Sequence, residues 1–118
     1  MKVYSFEKLE VWKNARDFTV KIYSITMAFP DEEKFGLTSQ LRRSTLSVTC
    51  NIAEGTTRWS NKERIRFIEI AYSSLMEVLN CLLISFNLDL ISQENLVSLR
   101  HDIDEISNKL NALARSYK

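Results

Sequence analysis

The stretch Gln40-Leu-Arg-Arg-Ser-Thr-Leu-Ser-Val-Thr-Cys-Asn-Ile-Ala-Glu-Gly55 decides how this chain is read, because its polar residues are spaced as regularly as its apolar ones. Gln40, Arg43, Ser47, Asn51 and Glu54 follow one another at intervals of 3, 4, 4 and 3. On a helix with about 3.6 residues per turn they share one arc of about 80°. Leu37, Leu41, Val48 and Ile52 lie on one flank of that stripe, and Leu46, Cys50 and Ala53 on the other. Two apolar flanks call for two partners, so this helix is expected to bury one side in its own bundle and the other against a second subunit.

The stripe allows three roles, in this order: a buried hydrogen-bond network that fixes register at a subunit interface, a pore lining in a ring, or a ligand site. Arg43 and Glu54 lie roughly 16 Å apart along the helix, too far to pair with each other inside one subunit. Burial without partners would cost several kcal/mol, so they are expected to pair across subunits or to reach water.

Outward from this stretch, punctuation divides the chain. Its 118 residues contain two glycines and one proline, at Gly36, Gly55 and Pro30. Long uninterrupted segments between so few breakers favour an all-helical chain. The first helix is expected from about Glu7 to Ala28, with Val11, Ala15, Phe18, Ile22, Ile25 and Phe29 in heptad spacing. Pro30 to Gly36 reads as a connector. The second helix begins near Leu37 or Thr38 and stops at Gly55, where glycine suits a left-handed cap. Ser60 and Glu63 match a capping box for the third helix, which carries Ile68, Tyr72, Leu75, Leu79, Leu82 and Phe86 and ends near Leu88. Ser92 caps a fourth helix with a narrow stripe of Leu96, Leu99, Ile103, Ile106, Leu110, Leu113 and Tyr117, which leaves one face wet. The expected fold is one domain spanning residues 1–118, all-α, an antiparallel up-down-up-down four-helix bundle assembling into a homo-oligomeric ring.

Cys50 and Cys81 both fall inside apolar helical patterns and read as reduced core residues of a cytoplasmic protein. No export signal is expected, and no stretch is expected to approach a membrane span. The net charge of +1 is unevenly spread: residues 1–66 carry +4 and residues 67–118 carry −3. Arg42, Arg43, Arg58, Lys62, Arg64 and Arg66 supply most of the positive excess. Pairing of this basic segment with acidic segments across the bundle or between subunits is the first expectation, and an anion-facing edge the second.

The chain resembles the bacterial four-helix-bundle proteins encoded in intervening sequences of large-subunit rRNA genes. The resemblance rests on Phe6-Glu-Lys-Leu-Glu-Val-Trp12, on Phe35-Gly-Leu-Thr-Ser-Gln-Leu-Arg-Arg43, on Asn51-Ile-Ala-Glu-Gly55 and on Ala71 to Glu77. It implies a bundle that forms a ring, usually a pentamer, with no established biochemical activity. A cousin group, the accessory proteins of diversity-generating retroelements, consists of basic pentamers that bind nucleic acid and the reverse transcriptase. This chain carries Val48-Thr49-Cys50 where the family often has Ile-Pro-Ser, and Ser73 where it often has glycine. Its charge of +1 is far below that of the retroelement proteins.

A second candidate site is the turn Gly55-Thr-Thr-Arg-Trp-Ser60 and the residues after it. Arg58, Trp59, Lys62, Arg64 and Arg66 could hold RNA or DNA by base stacking beside cations, repeated around a ring. RNA is favoured only through the rRNA-gene resemblance. The first expectation for Trp59 is nevertheless that it folds back over the bundle end, because tryptophan is usually mostly buried.

Enzyme chemistry has no foothold. His101 is the one histidine and lacks the Glu-x-x-His spacing of di-iron bundles, so it reads as a surface residue facing Asp102, Asp104 or Glu105. Neither cysteine has metal-ligand spacing, and there is no phosphate-binding glycine loop. Glu77, one turn from Ser73 and Ser74, is no catalytic set. No catalytic residue, metal or cofactor is expected. The partners expected are further copies of the chain, then nucleic acid or an unknown protein, with no membrane. The leading reading is a structural or scaffolding oligomer, and the alternative is a nucleic-acid-binding ring.

Overall fold

A computed structural model describes residues 1–118 and contains four helices and no strands. They are α1 (Glu10–Thr26), α2 (Leu37–Gly55), α3 (Asn61–Asn87) and α4 (Gln93–Ser116). Around the bundle α1 lies beside α2 and α4, and α3 beside α2 and α4, while the backbones of the diagonal pairs stay farther apart. The core is continuous through all four helices, with Ile22, Leu41, Leu75, Leu82, Leu99 and Leu110 among its fully buried members. No buried side-chain polar atom is left without a partner.

Local chemistry explains the ends. α1 starts three residues later than the spacing suggests, because Ser5–Lys8 closes into a separate 3-10 turn. The Tyr4 amide donates to Glu7 Oε2 at 2.8 Å, and Phe6 packs edge-on against Trp12. α1 ends at Thr26 rather than Ala28, where Thr26 Oγ1 donates back to the Ile22 carbonyl at 2.8 Å. Ser60 Oγ accepts the Glu63 amide at 3.1 Å, and Ser92 Oγ accepts the Asn95 amide at 3.1 Å, each satisfying an amide that the first helical turn leaves open. Only the forward half of the Ser60/Glu63 box is made. Asp89 turns the chain out of α3 at φ 61°, a left-handed position that a short polar side chain tolerates.

Gly55 does not act through a left-handed cap, since no glycine has positive φ. It is buried at the end of α2, and a Cβ there would sit 3.0 Å from Phe67 Cβ. The close approach of α3 favours glycine here, since any Cβ would oblige Phe67 to give by a few tenths of an ångström.

α3 overturns the expectation that no stretch suits a membrane. Its best 18 residues have a mean hydropathy of 1.6, long and apolar enough to cross a bilayer by length and composition. The expectation failed because Ser and Asn interrupt the apolar run without adding charge: between Phe67 and Leu88 the charged residues are Glu69 and Glu77 alone. Ile68, Ala71, Leu75, Val78 and Leu82 face the core, as expected of a central bundle helix, yet only a third of that apolar window is buried.

Candidate functional site

The two flanks of the α2 stripe meet different surroundings. Leu41, Val48 and Ile52 are buried in the bundle, whereas Leu46 and Cys50 are exposed. The stripe itself splits three ways. Gln40 Nε2 donates to Glu77 Oε2 on α3, and the same carboxylate oxygen accepts Ser44 Oγ at 2.6 Å. Ser47 Oγ shares a hydrogen bond with Ser74 Oγ at 2.8 Å, and Asn51 Nδ2 turns back to the Ser47 carbonyl at 2.8 Å. Arg43 and Glu54 are exposed, and their side chains have no hydrogen-bond or ion-pair partner in the chain. The expected buried network is therefore a half-exposed seam between α2 and α3, open to solvent at both ends.

Three residues of this seam, Ser44, Ser74 and Glu77, lie outside the stripe. Their partners come from another helix, so spacing within α2 does not point to them. Glu77 also acts on its surroundings: burial, and secondly the Glu77 carboxylate, push the Cys81 thiol above the ordinary thiol range. Cys81 is buried, protonated and poorly nucleophilic. Cys50, expected in the core, is exposed instead, because it lies on the outward flank of α2.

Beside this seam α3 presents a second heptad row: Arg66, Ile70, Ser73, Glu77, Asn80, Ile84 and Leu88, all exposed. Ile70 and Ile84 show 39% and 42% of their surface, and Leu46 on α2 shows 42%. The row is visible in the sequence as a repeat offset by two residues from Ile68, Leu75 and Leu82, the side that the core claims. Together α2 and α3 make an outer face of apolar and small polar side chains with few charges.

The opposite side is built from charges. Lys21 Nζ donates to Asp102 Oδ2 at 2.9 Å and to Ser98 Oγ at 2.6 Å. Lys109 Nζ donates to Asn14 Oδ1 at 2.6 Å and lies 3.7 Å from both Glu10 and Glu105. Depressions on this side hold no chemistry beyond these contacts: one along α4 has His101 among Arg100, Asp104 and Glu105, and all of these side chains are exposed. No group of three His, Cys, Asp or Glu side chains is placed to hold a metal ion.

At the α2 to α3 turn, Trp59 does not fold back; it is 97% exposed. The turn is too short to return it, because Thr57 Oγ1 caps the Glu54 carbonyl at 2.7 Å and Ser60 already caps α3. The five residues of the candidate basic site separate into two groups. The Arg58 guanidinium stacks 4.3 Å from the Phe67 ring centroid, and Arg64 donates to Asn61 Oδ1 and lies 5.5 Å from the Tyr117 ring centroid. Trp59, Lys62 and Arg66 point to solvent without an intrachain polar partner.

The expected pairing of the basic segment across the bundle is not made. None of Arg42, Arg43, Arg58, Lys62, Arg64 and Arg66 forms an ion pair within the chain. Arg42 instead donates to Thr26 Oγ1 at 2.9 Å and stacks on Tyr23, 4.7 Å from its ring centroid.

Comparison with known proteins agrees with this architecture. The profile of the 23S rRNA-intervening sequence protein family matches residues 7–112. A crystal structure from Bacteroides thetaiotaomicron, described as a protein with unknown function from the S23 ribosomal protein family, is similar at 25% identity with a TM-score of 0.82. The match covers 89% of this chain and 95% of that one. No curated protein matches the chain significantly.

Proposed function

Because the chain belongs to the 23S rRNA-intervening sequence protein family, we propose that it is a non-enzymatic scaffold whose copies join through the α2–α3 side, the outward row of α3 on one copy against the outward flank of α2 on the next, into a closed ring. The observation that carries this reading is the outward row of α3. An exposed helix face on a solitary bundle is normally charged, yet only Arg66 and Glu77 of the seven exposed residues in this row carry charge, and Ile70, Ile84 and Leu88 are apolar. α2 and α3 are about 28 and 40 Å long and about 10 Å wide each, about 700 Å² together, shared between the two neighbours that each copy has in a ring.

The cross-helix contacts support an up-down-up-down course: Thr19 meets Thr45 while Thr26 meets Arg42, and Asn14 meets Lys109 while Lys21 meets Ser98. Five copies is the number that the family resemblance implies. Arg43 and Glu54, unpaired in the single chain, are groups for which this interface would supply partners on a neighbouring subunit, other than each other. The protein works in the cytoplasm in this reading, without cofactor or metal, and presents its charged α1–α4 side outward to a protein partner. Sedimentation equilibrium tests it. A mass near five times the 13.8 kDa chain is expected, and a chain that stays monomeric at tens of micromolar sinks the reading.

The exposed indole of Trp59 beside free Lys62 and Arg66 favours one second reading, a ring that binds single-stranded RNA or DNA at the turn. Anisotropy titrations at low and moderate salt test it. Affinity that falls steeply with salt and is lost in Lys62→Ala/Arg66→Ala supports it, and no binding at low salt removes it.

A further inference from the structure

The end of the bundle where α2 stops and α3 starts carries both a knob and a hole. The knob is Trp59, 97% exposed, with the unpaired cations Lys62 and Arg66 following it. The hole is a cleft of about 260 Å³ between the N-terminal segment and the end of α2, lined by Tyr4, Phe6, Ala53, Thr56 and Thr57. Its exposed atoms are almost wholly apolar although Ser5, Glu54, Thr56 and Thr57 help to line it, and the Glu54 carboxylate has no partner in the chain. Trp59 lies two residues beyond Thr57 and stays in solvent, so the chain does not fill its own cleft.

We propose that the cleft is filled by Trp59 of a neighbouring copy, with Glu54 facing the cations that follow that tryptophan. The inference rests on the ring reading above and names the residue each subunit lends to the next. Burial of an indole removes about 150–250 Å² from water, and tryptophan is the residue most often found to anchor an interface. Charge complements shape, since the one free carboxylate at the edge meets a segment with two free cations. Height matches as well. α2 ends at Gly55 and α3 begins at Asn61, so residues 53–59 all lie at one end of the bundle. Copies standing side by side with their ends level bring each Trp59 to the height of its neighbour's cleft. A knob-to-hole contact of this kind is heterologous, and without axial shift it closes a ring rather than growing a filament. The occupant is a second copy rather than a nucleic acid strand, because a strand site has no use for a free carboxylate at its edge.

The test uses the full chain with Trp12→Phe, which leaves Trp59 as the sole tryptophan and keeps a ring against Phe6. Trp59 emission should be blue-shifted in the assembled protein and move red on dilution. Trp59→Ala in the otherwise native chain should raise the concentration of half-assembly at least about tenfold, with helix content unchanged. Glu54→Lys, on an exposed side chain that folding does not need, should do the same. An assembled protein with solvent-like emission, and with a mass unaffected by Trp59→Ala, overturns the Trp59 contact and leaves the α2–α3 interface standing. A monomeric wild-type chain overturns both. A blue shift that appears only when RNA or DNA is added assigns the indole to a strand and overturns the contact between copies.

Discussion

The α1–α4 side and the α2–α3 side of this bundle are held by opposite chemistry. On the first, Lys21 and Lys109 reach across to Asp102, Ser98, Asn14 and Glu10, and the surrounding surface is densely charged. On the second, Ser44, Ser47, Ser74, Gly55 and Ala71 let the helices approach closely, and a single carboxylate, Glu77, collects the polar contacts. Partly exposed ion pairs contribute little to stability but tolerate water. A neutral face built of small and apolar side chains tolerates water poorly and suits a protein partner. The two sides therefore suit different neighbours, water for one and, in the reading proposed above, another subunit for the other.

The most damaging way to break this contrast is to put a charge on the neutral face. Ile84→Arg should weaken self-association at least about a hundredfold, since a desolvated unpaired charge at an interface costs several kcal/mol. Val97→Arg, which adds the same charge to a position on α4 that is more exposed still, should leave the mass unchanged. Sedimentation of the two variants at matched concentration decides the matter, and equal masses would show that the faces do not differ in this respect.

Close approach is the next target. Gly55→Val should cost about 1–3 kcal/mol, because its side chain would be driven into Phe67. Urea denaturation measures this, and a variant as stable as wild type would mean that α3 can move away. Glu77→Ala should cost about 1–2 kcal/mol by leaving Gln40 and Ser44 without their acceptor. Lys21→Ala should cost less than about 1 kcal/mol, and that smaller loss should shrink further in molar salt, because Lys21 and Asp102 are each more than a third exposed. A Lys21→Ala loss larger than that of Glu77→Ala would reverse the ranking of the two sides.

Much of the fold was legible in the chain because its punctuation is sparse and each helix carries a heptad row. α2 and the starts of α3 and α4 fall where Leu37, Ser60 and Ser92 put them. What escaped was what one helix cannot announce about another. Gly55 looks like a cap in isolation, and only the nearness of Phe67 shows that it serves helix approach. Glu77 has no signal within its own helix, since Gln40 and Ser44 come from α2. The outward row Ile70, Ser73, Asn80, Ile84 is readable, but a helix rich in apolar residues offers two rows and only packing tells which one the core takes. Trp59 runs against the usual burial of tryptophan, and the shortness of the capped turn on either side of it is the reason.

The smallest effect lies beneath the neutral side, at Cys81. Burial and then the Glu77 carboxylate favour its protonated form in the folded chain, so its folded pKa exceeds the unfolded value. Below the unfolded thiol value of about 8.5 both states keep the proton and the contribution to stability is whole. As pH rises past that value the unfolded thiol ionises first. The unfolded state then binds fewer protons than the folded one, and stability falls with pH. The fall should stay below about 1.4 kcal/mol per pH unit, the limit for one proton. Urea midpoints from pH 8 to about pH 10 should therefore decline more steeply for wild type than for Cys81→Ala, with Lys and Tyr titration common to both. Glu77→Gln should flatten the wild-type decline only in part, because burial is the larger cause and survives that change. Parallel declines in all three proteins would mean that the thiol feels neither the core nor the seam, and that the α2–α3 side is wetter at Cys81 than its burial indicates.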